Sequence, residues 1–251
     1  DGVDTIRRNM DFHRKLIRGI EVKADYPDGR SEYCHLYAVD WTNPENNEFS
    51  VVNQVTVTGQ NERRLDIVIY INGLPLVVFE LKNPYDERPT VEDAHTQITH
   101  YRHEIPQLFE YNAVTVVSDG VQTLHGMWSA SLEWYAPWKT IDGFNIERNT
   151  TGSMKTLIEG LFPKDRLLQY IRSFILFECD DEKIIKKGAK YHQFFAVRLA
   201  AQKAVETVVA GKDKRIGVIW HTTGSGKSLS MAFLVGLLRP LPELDNPTIV
   251  V

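Results

Sequence analysis

Asp66, Glu80 and Lys82 sit on two short apolar stretches, Asp66 to Ile71 and Leu74 to Lys82, at spacings suited to phosphoryl chemistry. Glu80 and Lys82 are two apart, so on a strand both side chains leave the same face. Two carboxylates converging on one point can hold Mg2+, which polarises a phosphodiester and acidifies a water. A lysine beside them can orient that water or stabilise the charge that develops in the transition state. Charges on such strands can equally form a solvated salt-bridge face.

The intervening Asn72-Gly73 is a strong hairpin signal. A two-residue loop with unbroken pairing would set Asp66 across from Phe79, turned away from Glu80. The site requires the pairing to slip by one residue. The spacing therefore predicts a three-residue loop or a bulge, with Gly73 suited to left-handed backbone. A second Glu-x-Lys, Glu21-Val22-Lys23, is set aside because no hairpin is expected to bring a second carboxylate to it.

Thr90 can cap a helix running to about Leu108, with Glu92 and Asp93 in its first turn. Gln97 and Tyr101 are four apart and share a helical face. Both can hydrogen-bond a DNA phosphate without adding charge, although the pair also reads as a half-buried tyrosine beside a surface glutamine.

A second constellation lies at residues 221–228, His221-Thr222-Thr223-Gly224-Ser225-Gly226-Lys227-Ser228. Gly224 and Gly226 let backbone N–H groups turn toward phosphate oxygens without a Cβ in the way. The helix N-terminus behind them adds partial positive charge. Lys227 can reach the β- and γ-phosphates of ATP, and Ser228 can ligate Mg2+. Thr223, Gly224, Ser225, Gly226, Lys227 and Ser228 are thus the nucleotide-contacting set. His221 replaces the first glycine of the usual pattern. Hydrolysis also needs an acidic Mg2+ partner on a later strand and an arginine finger. Neither has its usual place before Val251, so the expectation is nucleotide binding without turnover.

These groups need elements to hold them. Residues 3–18 read as a helix with Ile6, Met10, Leu16 and Ile17 on its apolar face. Residues 21–47 are polar, with turns at Pro27-Asp28-Gly29 and Asn43-Pro44. Strands are expected at Phe49 to Val57, at the two stretches carrying the carboxylates, and at Ala113 to Val117 before the turn Ser118-Asp119-Gly120. Asn149 to Ser153 reads as a linker. Residues 154–210 are mostly helical by pattern, with a break around Asp180 to Gly188. Ile216 to Trp220 then reads as a strand, Lys227 to Leu238 as a helix, and Thr248 as the start of another strand, which is a βαβ opening. The chain is therefore α/β, with one domain over 1–150, a helical connector over 151–210 and the start of a second α/β domain over 211–251.

The 251 residues carry a net charge of −4, whereas a free-standing DNA-binding domain is usually basic. DNA handling would have to use local patches, a bound metal or partner subunits. No apolar run approaches the ~20 residues of a membrane helix, and residues 1–19 mix charges unlike a secretory signal. Cys34 and Cys179 fit neither a metal spacing nor a disulfide framework, which points to a reducing cytoplasm.

Asp66…Glu80-Leu81-Lys82…Gln97-Ile98-Thr99-His100-Tyr101 resembles the PD-(D/E)xK nuclease core with the Q-x-x-x-Y extension of RecB-like nucleases. Leu65 stands where that pattern usually has proline. Asp11-Phe12-His13, Asn53-Gln54, Asn72-Gly73-Leu74-Pro75-Leu76, Phe109-Glu110-Tyr111-Asn112, Ser118-Asp119-Gly120, Tyr191-His192-Gln193 and the histidine-led loop are similar to the restriction (R, HsdR) subunit of type I restriction–modification enzymes. The resemblance covers essentially the whole chain. It implies a PD-(D/E)xK nuclease domain (a mixed sheet flanked by helices), the helical connector, and the start of a RecA-like superfamily 2 helicase lobe. It implies Mg2+ and ATP as cofactors, double-stranded DNA as substrate, and methyltransferase (M) and specificity (S) subunits as partners in a bacterial or archaeal cytoplasm. It gives Asp66 and Glu80 to the metal, Lys82 to catalysis, and Gln97 and Tyr101 to DNA contact or cleavage. Gln193 is placed like a helicase Q-motif residue that reads adenine. An alternative remains: an ATP-dependent DNA translocase whose nuclease fold is only a DNA-binding or interaction module. On the resemblance, the acidic balance means that most DNA affinity resides in motor lobes and partners beyond these residues.

Overall fold

The computed structural model describes residues 2–83, 90–148, 153–180, 183–211 and 215–250. Helix α1 (Gly2–Arg18) opens the chain. It buries Ile6 and Leu16, with Met10 and Ile17 half-buried, as the apolar spacing predicts. Strands β1 (Ile20–Asp25) and β2 (Ser31–Leu36) follow as an antiparallel hairpin. This corrects the polar, turn-only reading of residues 21–47. β1 alternates Ile20, Val22 and Ala24 with charged residues but none of its residues is fully buried, and β2 is exposed throughout. The hairpin also removes the stated reason for setting Glu21-Val22-Lys23 aside. Glu21 and Lys23 are paired with His35 and Tyr33, so no carboxylate faces them across the ladder.

The main sheet has five strands in the order β3-β4-β5-β6-β7. These are β3 (Phe49–Thr58), β4 (Glu62–Ile71), β5 (Leu74–Leu81), β6 (Val114–Ser118) and β7 (Thr123–Gly126). All neighbours are antiparallel except β5 and β6. A parallel pair needs a long crossover, supplied here by α2 (Val91–Glu104) and α3 (Pro106–Phe109). β5 is central and nearly all apolar, as expected of a strand covered on both faces.

Thr90 caps α2 with a complete capping box: its hydroxyl accepts from Asp93 N, and the Asp93 carboxylate accepts from Thr90 N. The helix stops at Ile105 instead of continuing to Leu108, because Pro106 has no N–H to donate and restricts the residue before it.

One face of the sheet packs α2 and α3 around Val68, Val78, Ile98, Tyr101 and Phe109. The other packs Ile69, Ile71, Val77 and Phe79 against α4 (Ser153–Leu161), α5 (Lys164–Ser173) and α6 (Tyr191–Ala210). The break expected near 180–188 is a second hairpin, β8 (Ile175–Asp180) and β9 (Lys183–Gly188). Most of the Asn149 to Ser153 linker lies outside the described residues; Ser153 already begins α4.

Helix α7 (Lys227–Leu238) forms as expected and drives Phe233 into the core, 5.5 Å from the Phe174 ring. The strands expected at Ile216 to Trp220 and from Thr248 are not formed among the described residues. A strand exists only through a neighbour that takes its N–H and C=O groups, and none among the described residues lies beside these segments. Val218 and Trp220 are 93% and 88% exposed. The βαβ opening is therefore present as loop and helix alone.

Candidate functional site

The β4–β5 hairpin decides whether the carboxylates can meet. Its loop has two residues, Asn72 (φ 51) and Gly73 (φ 79), both left-handed as a primed turn requires. Ile71 pairs with Leu74 and Tyr70 with Pro75, but Ile69 then pairs with Val77. Leu76 is the extra residue of a β-bulge. The predicted slip is present, in the strand and not in the loop. Beyond it, Val68 faces Val78 and Ile67 faces Phe79, so the same register brings Asp66 opposite Glu80.

Glu80 is 4% exposed, on the central strand. Its Oε1 accepts from Lys82 Nζ at 3.0 Å. Its Oε2 is buried with no hydrogen-bond partner. Burial pushes the Glu80 carboxyl above the ordinary carboxylate range; Lys82 opposes that shift and the Asp66 charge adds to it. Asp66 is held at both oxygens: Oδ2 accepts from the Leu81 backbone N–H at 2.8 Å, and Oδ1 from Gln54 Nε2 at 3.4 Å.

Tyr101 lies beside this pair. Its hydroxyl donates to the Arg64 carbonyl at 3.2 Å, and burial, followed by the charge of Glu80, raises its pKa. Gln97, one turn earlier, also interacts with that hydroxyl. Tyr101 is 3% exposed, so it braces β4 from within the core.

The second site is built from the loop before α7. Gly224 and Gly226 both have φ 81. A Cβ on Gly226 would sit 2.6 Å from Gln193 Nε2, so glycine is needed there for conformation and for space. Lys227 Nζ donates to the His221 and Thr222 carbonyls, each at 3.1 Å, folding back over its own loop. Thr223 and Ser228 are exposed, and the Ser225 hydroxyl is buried without a partner. The loop opens on a cleft of about 1030 Å3 that Lys187 and Lys190 also line.

Gln193 is 2% exposed and fully engaged. Its Oε1 accepts from the Lys190 N–H at 2.8 Å. Its Nε2 donates to the Ser225 and Gly226 carbonyls at 3.2 and 3.1 Å. Reading an adenine would require it to release the loop. His192 joins it: its ring lies edge-on to His221 at 5.0 Å and its Nε2 is 3.3 Å from the Ser225 carbonyl. His221 thus helps tie the loop to α6.

Residues 2–132 match the family model described as "Type I restriction enzyme R protein N terminus". The chain belongs to the type I restriction enzyme R protein family. Residues 192–251 match a second model, "SWI2/SNF2 ATPase". Among curated R-protein relatives, the chain is 41% identical to the type I restriction enzyme HindI endonuclease subunit of Haemophilus influenzae over 99% of its length. It is 31% identical to the putative MjaIXP endonuclease subunit of Methanocaldococcus jannaschii over its whole length. The chain spans about a quarter of those relatives, 24% and 26% of their lengths.

This R-protein chain has no group of three or more His, Cys, Asp or Glu side chains able to hold a metal among the described residues. The unpartnered, buried Glu80 Oε2 is an acceptor that a cation beside Asp66 would satisfy. The left-handed glycines at the start of α7 fit a phosphate in the same sense.

Gln54, which no reading of residue type singled out, is the residue missed. It has φ 53 in the middle of β3, a conformation that costs a non-glycine residue on the order of 1–3 kcal/mol. The one available signal was its place in the Asn53-Gln54 pair.

Proposed function

We propose that this chain holds the nuclease centre and the first motor motif of a type I restriction subunit that cuts DNA with Mg2+. On this reading residues 1–150 are a PD-(D/E)xK nuclease domain, 151–210 a connector, and 211–251 the start of a RecA-like lobe. The observation that carries it is the bulge that brings Asp66 opposite Glu80, beside Lys82 and a buried carboxylate oxygen without a donor.

Asp66 and Glu80 would hold the metal. When bound, Mg2+ supplies a polarised phosphodiester and an acidified water. Asp66 is oriented from both sides by Leu81 N–H and Gln54. Lys82 would keep one N–H on Glu80 and offer another to the developing charge on the phosphate oxygens. Tyr101 fixes the strand that carries Asp66, and Gln97, half-buried on the same helical face, supports DNA contact. At the second site Lys227, now on the His221 and Thr222 carbonyls, and Ser228 would hold the phosphates of ATP and the accompanying Mg2+. ATP use would move double-stranded DNA past a complex with methyltransferase and specificity subunits, in the cytoplasm of a bacterium or archaeon.

The test is a pair of changes in the complete subunit assembled with its partners. Lys82→Ala should abolish cleavage and leave ATPase and translocation intact. Lys227→Ala should abolish all three. Undiminished cleavage by Lys82→Ala overturns the nuclease reading and leaves the translocase with a passive nuclease fold.

A further inference from the structure

Gln54 lies opposite Asp66. On β3, Asn53 pairs with Ile67 and Val55 with Leu65, so the register is the same on both sides, yet the pair between them is missing from the ladder. Gln54 has φ 53 there. It is not an inserted residue, because the pairing count does not change. Among the described residues of the five-stranded sheet, it is the one non-glycine within a strand in left-handed backbone.

The kink reverses the sheet alternation. On β4, Ile67, Ile69 and Ile71 line the core under α4 to α6, while Val68 and Tyr70 face α2. Strict alternation would put Leu65 with Ile67. Leu65 instead joins the α2-side core, together with Val55 and Val57 of β3. Residues 65 and 68 thus reach the same side although they are three apart, and the change of side falls at Asp66. Asp66 is left at the crossing, with its carboxylate turned along the ladder. There Leu81 N–H takes Oδ2 and Gln54 Nε2 takes Oδ1.

We propose that Gln54 is a positioning residue for the Asp66 metal-binding carboxylate, through its left-handed backbone and its side-chain amide together. The inference rests on the nuclease reading of Asp66, Glu80 and Lys82. A residue that only joined two strands would have an ordinary extended backbone and would leave the ladder whole. Backbone strain held at a carboxylate that two donors already orient is instead the pattern of a preorganised site.

The test uses the complete subunit without nucleotide, titrated with Mn2+ by calorimetry, and the assembled enzyme for cleavage against Mg2+ concentration. Gln54→Gly keeps the backbone conformation and removes the amide. Gln54→Asn keeps an amide and tolerates left-handed backbone, one methylene shorter. The expected result for Gln54→Gly is a loss of Mn2+ affinity of about tenfold or more, the usual effect of removing a ligand's orienting partner. The Mg2+ needed for half-maximal cleavage should rise in parallel, be met by excess metal, and leave ATPase unchanged. Gln54→Asn should fall between Gln54→Gly and wild type. Wild-type metal titrations for both variants overturn the proposal. Asp66→Asn is the reference: if it too binds Mn2+ like wild type, the nuclease reading itself fails. If Asp66→Asn loses the metal and neither Gln54 variant does, only the role of Gln54 fails.

Discussion

Lys82 Nζ sits 3.0 Å from Glu80 Oε1, on a central strand where the other Glu80 oxygen is buried without a donor. The ion pair therefore only half compensates a buried carboxylate, and burial holds the Glu80 pKa above its ordinary range. A carboxyl whose folded pKa is raised contributes stability below its unfolded pKa and loses it as pH rises through the folded value. Glu80→Gln should therefore raise the thermal midpoint at about pH 8, by about 1 kcal/mol of stability, and abolish Mn2+ binding and cleavage. The gain should vanish near pH 4, around the ordinary carboxylate pKa. Melting curves across that range check it; a variant less stable than wild type at pH 8 refutes it.

Lys82→Ala acts in the opposite direction on stability. It removes the Lys82 donor from Oε1 of the buried Glu80, and stranding a charged acceptor costs roughly 1–3 kcal/mol. The double change Glu80→Gln with Lys82→Ala should recover most of that loss without recovering cleavage. Chemical denaturation of all three variants measures the coupling, and additive effects would show that the pair does not act as a unit.

The nucleotide loop gives a prediction about Gln193. Both ends of its amide are occupied, by the Lys190 N–H and by the Ser225 and Gly226 carbonyls. If its work is to hold the loop, Gln193→Ala should weaken ATP and GTP by similar factors. An adenine reader would lose ATP selectively. Gly226→Ala should be the harsher change, because it meets left-handed backbone and the Gln193 amide at once. Fluorescent ATP and GTP analogues titrated against the complete subunit distinguish the outcomes. A selective loss of ATP would return Gln193 to the base.

Much of this was legible in residue types and spacing. The parity of Asp66 and Glu80 across Asn72-Gly73 demanded an irregularity, and the bulge at Leu76 supplies it. Thr90, with Asp93 three residues later, announced the start of α2. The β1–β2 and β8–β9 hairpins were not legible. In each, one strand carries a pattern that its partner lacks: β1 alternates Ile20, Val22 and Ala24 with charges and β8 opens on Ile175, Leu176 and Phe177, whereas β2 is exposed throughout and β9 is lysine-rich. Gln54 was hidden for another reason. Left-handed backbone is expected of glycine and asparagine, and nothing in glutamine announces it. The expected strand at Ile216 to Trp220 has the right residues but no neighbouring strand among the described residues, and pairing, not pattern, makes a strand.

Lys186 is the clearest case of a pattern overruled by packing. It lies in the lysine-rich β9, where solvated charge is the expectation, yet it is 2% exposed. Its Nζ donates to the Asn112 carbonyl at 2.6 Å and lies 5.6 Å from the Phe177 ring centre. Burial lowers its pKa to about 7, and its charge adds to the burial that lowers the neighbouring His13 to about 3. A lysine with a depressed folded pKa is bound to its proton more weakly in the folded state than in the unfolded one. Stability should therefore climb with pH from about 7 toward the unfolded value of 10.5, with a slope on the order of 1 kcal/mol per pH unit. Lys186→Met keeps the length and apolar contacts and removes the titration. The Asn112 carbonyl retains its bond from Asn9 Nδ2 at 2.9 Å, so no acceptor is stranded. The variant should be more stable than wild type below about pH 7, with the advantage shrinking as pH rises above that. Denaturant midpoints at several pH values decide it. Parallel pH profiles for the two proteins would mean that Lys186 keeps its charge in the folded state.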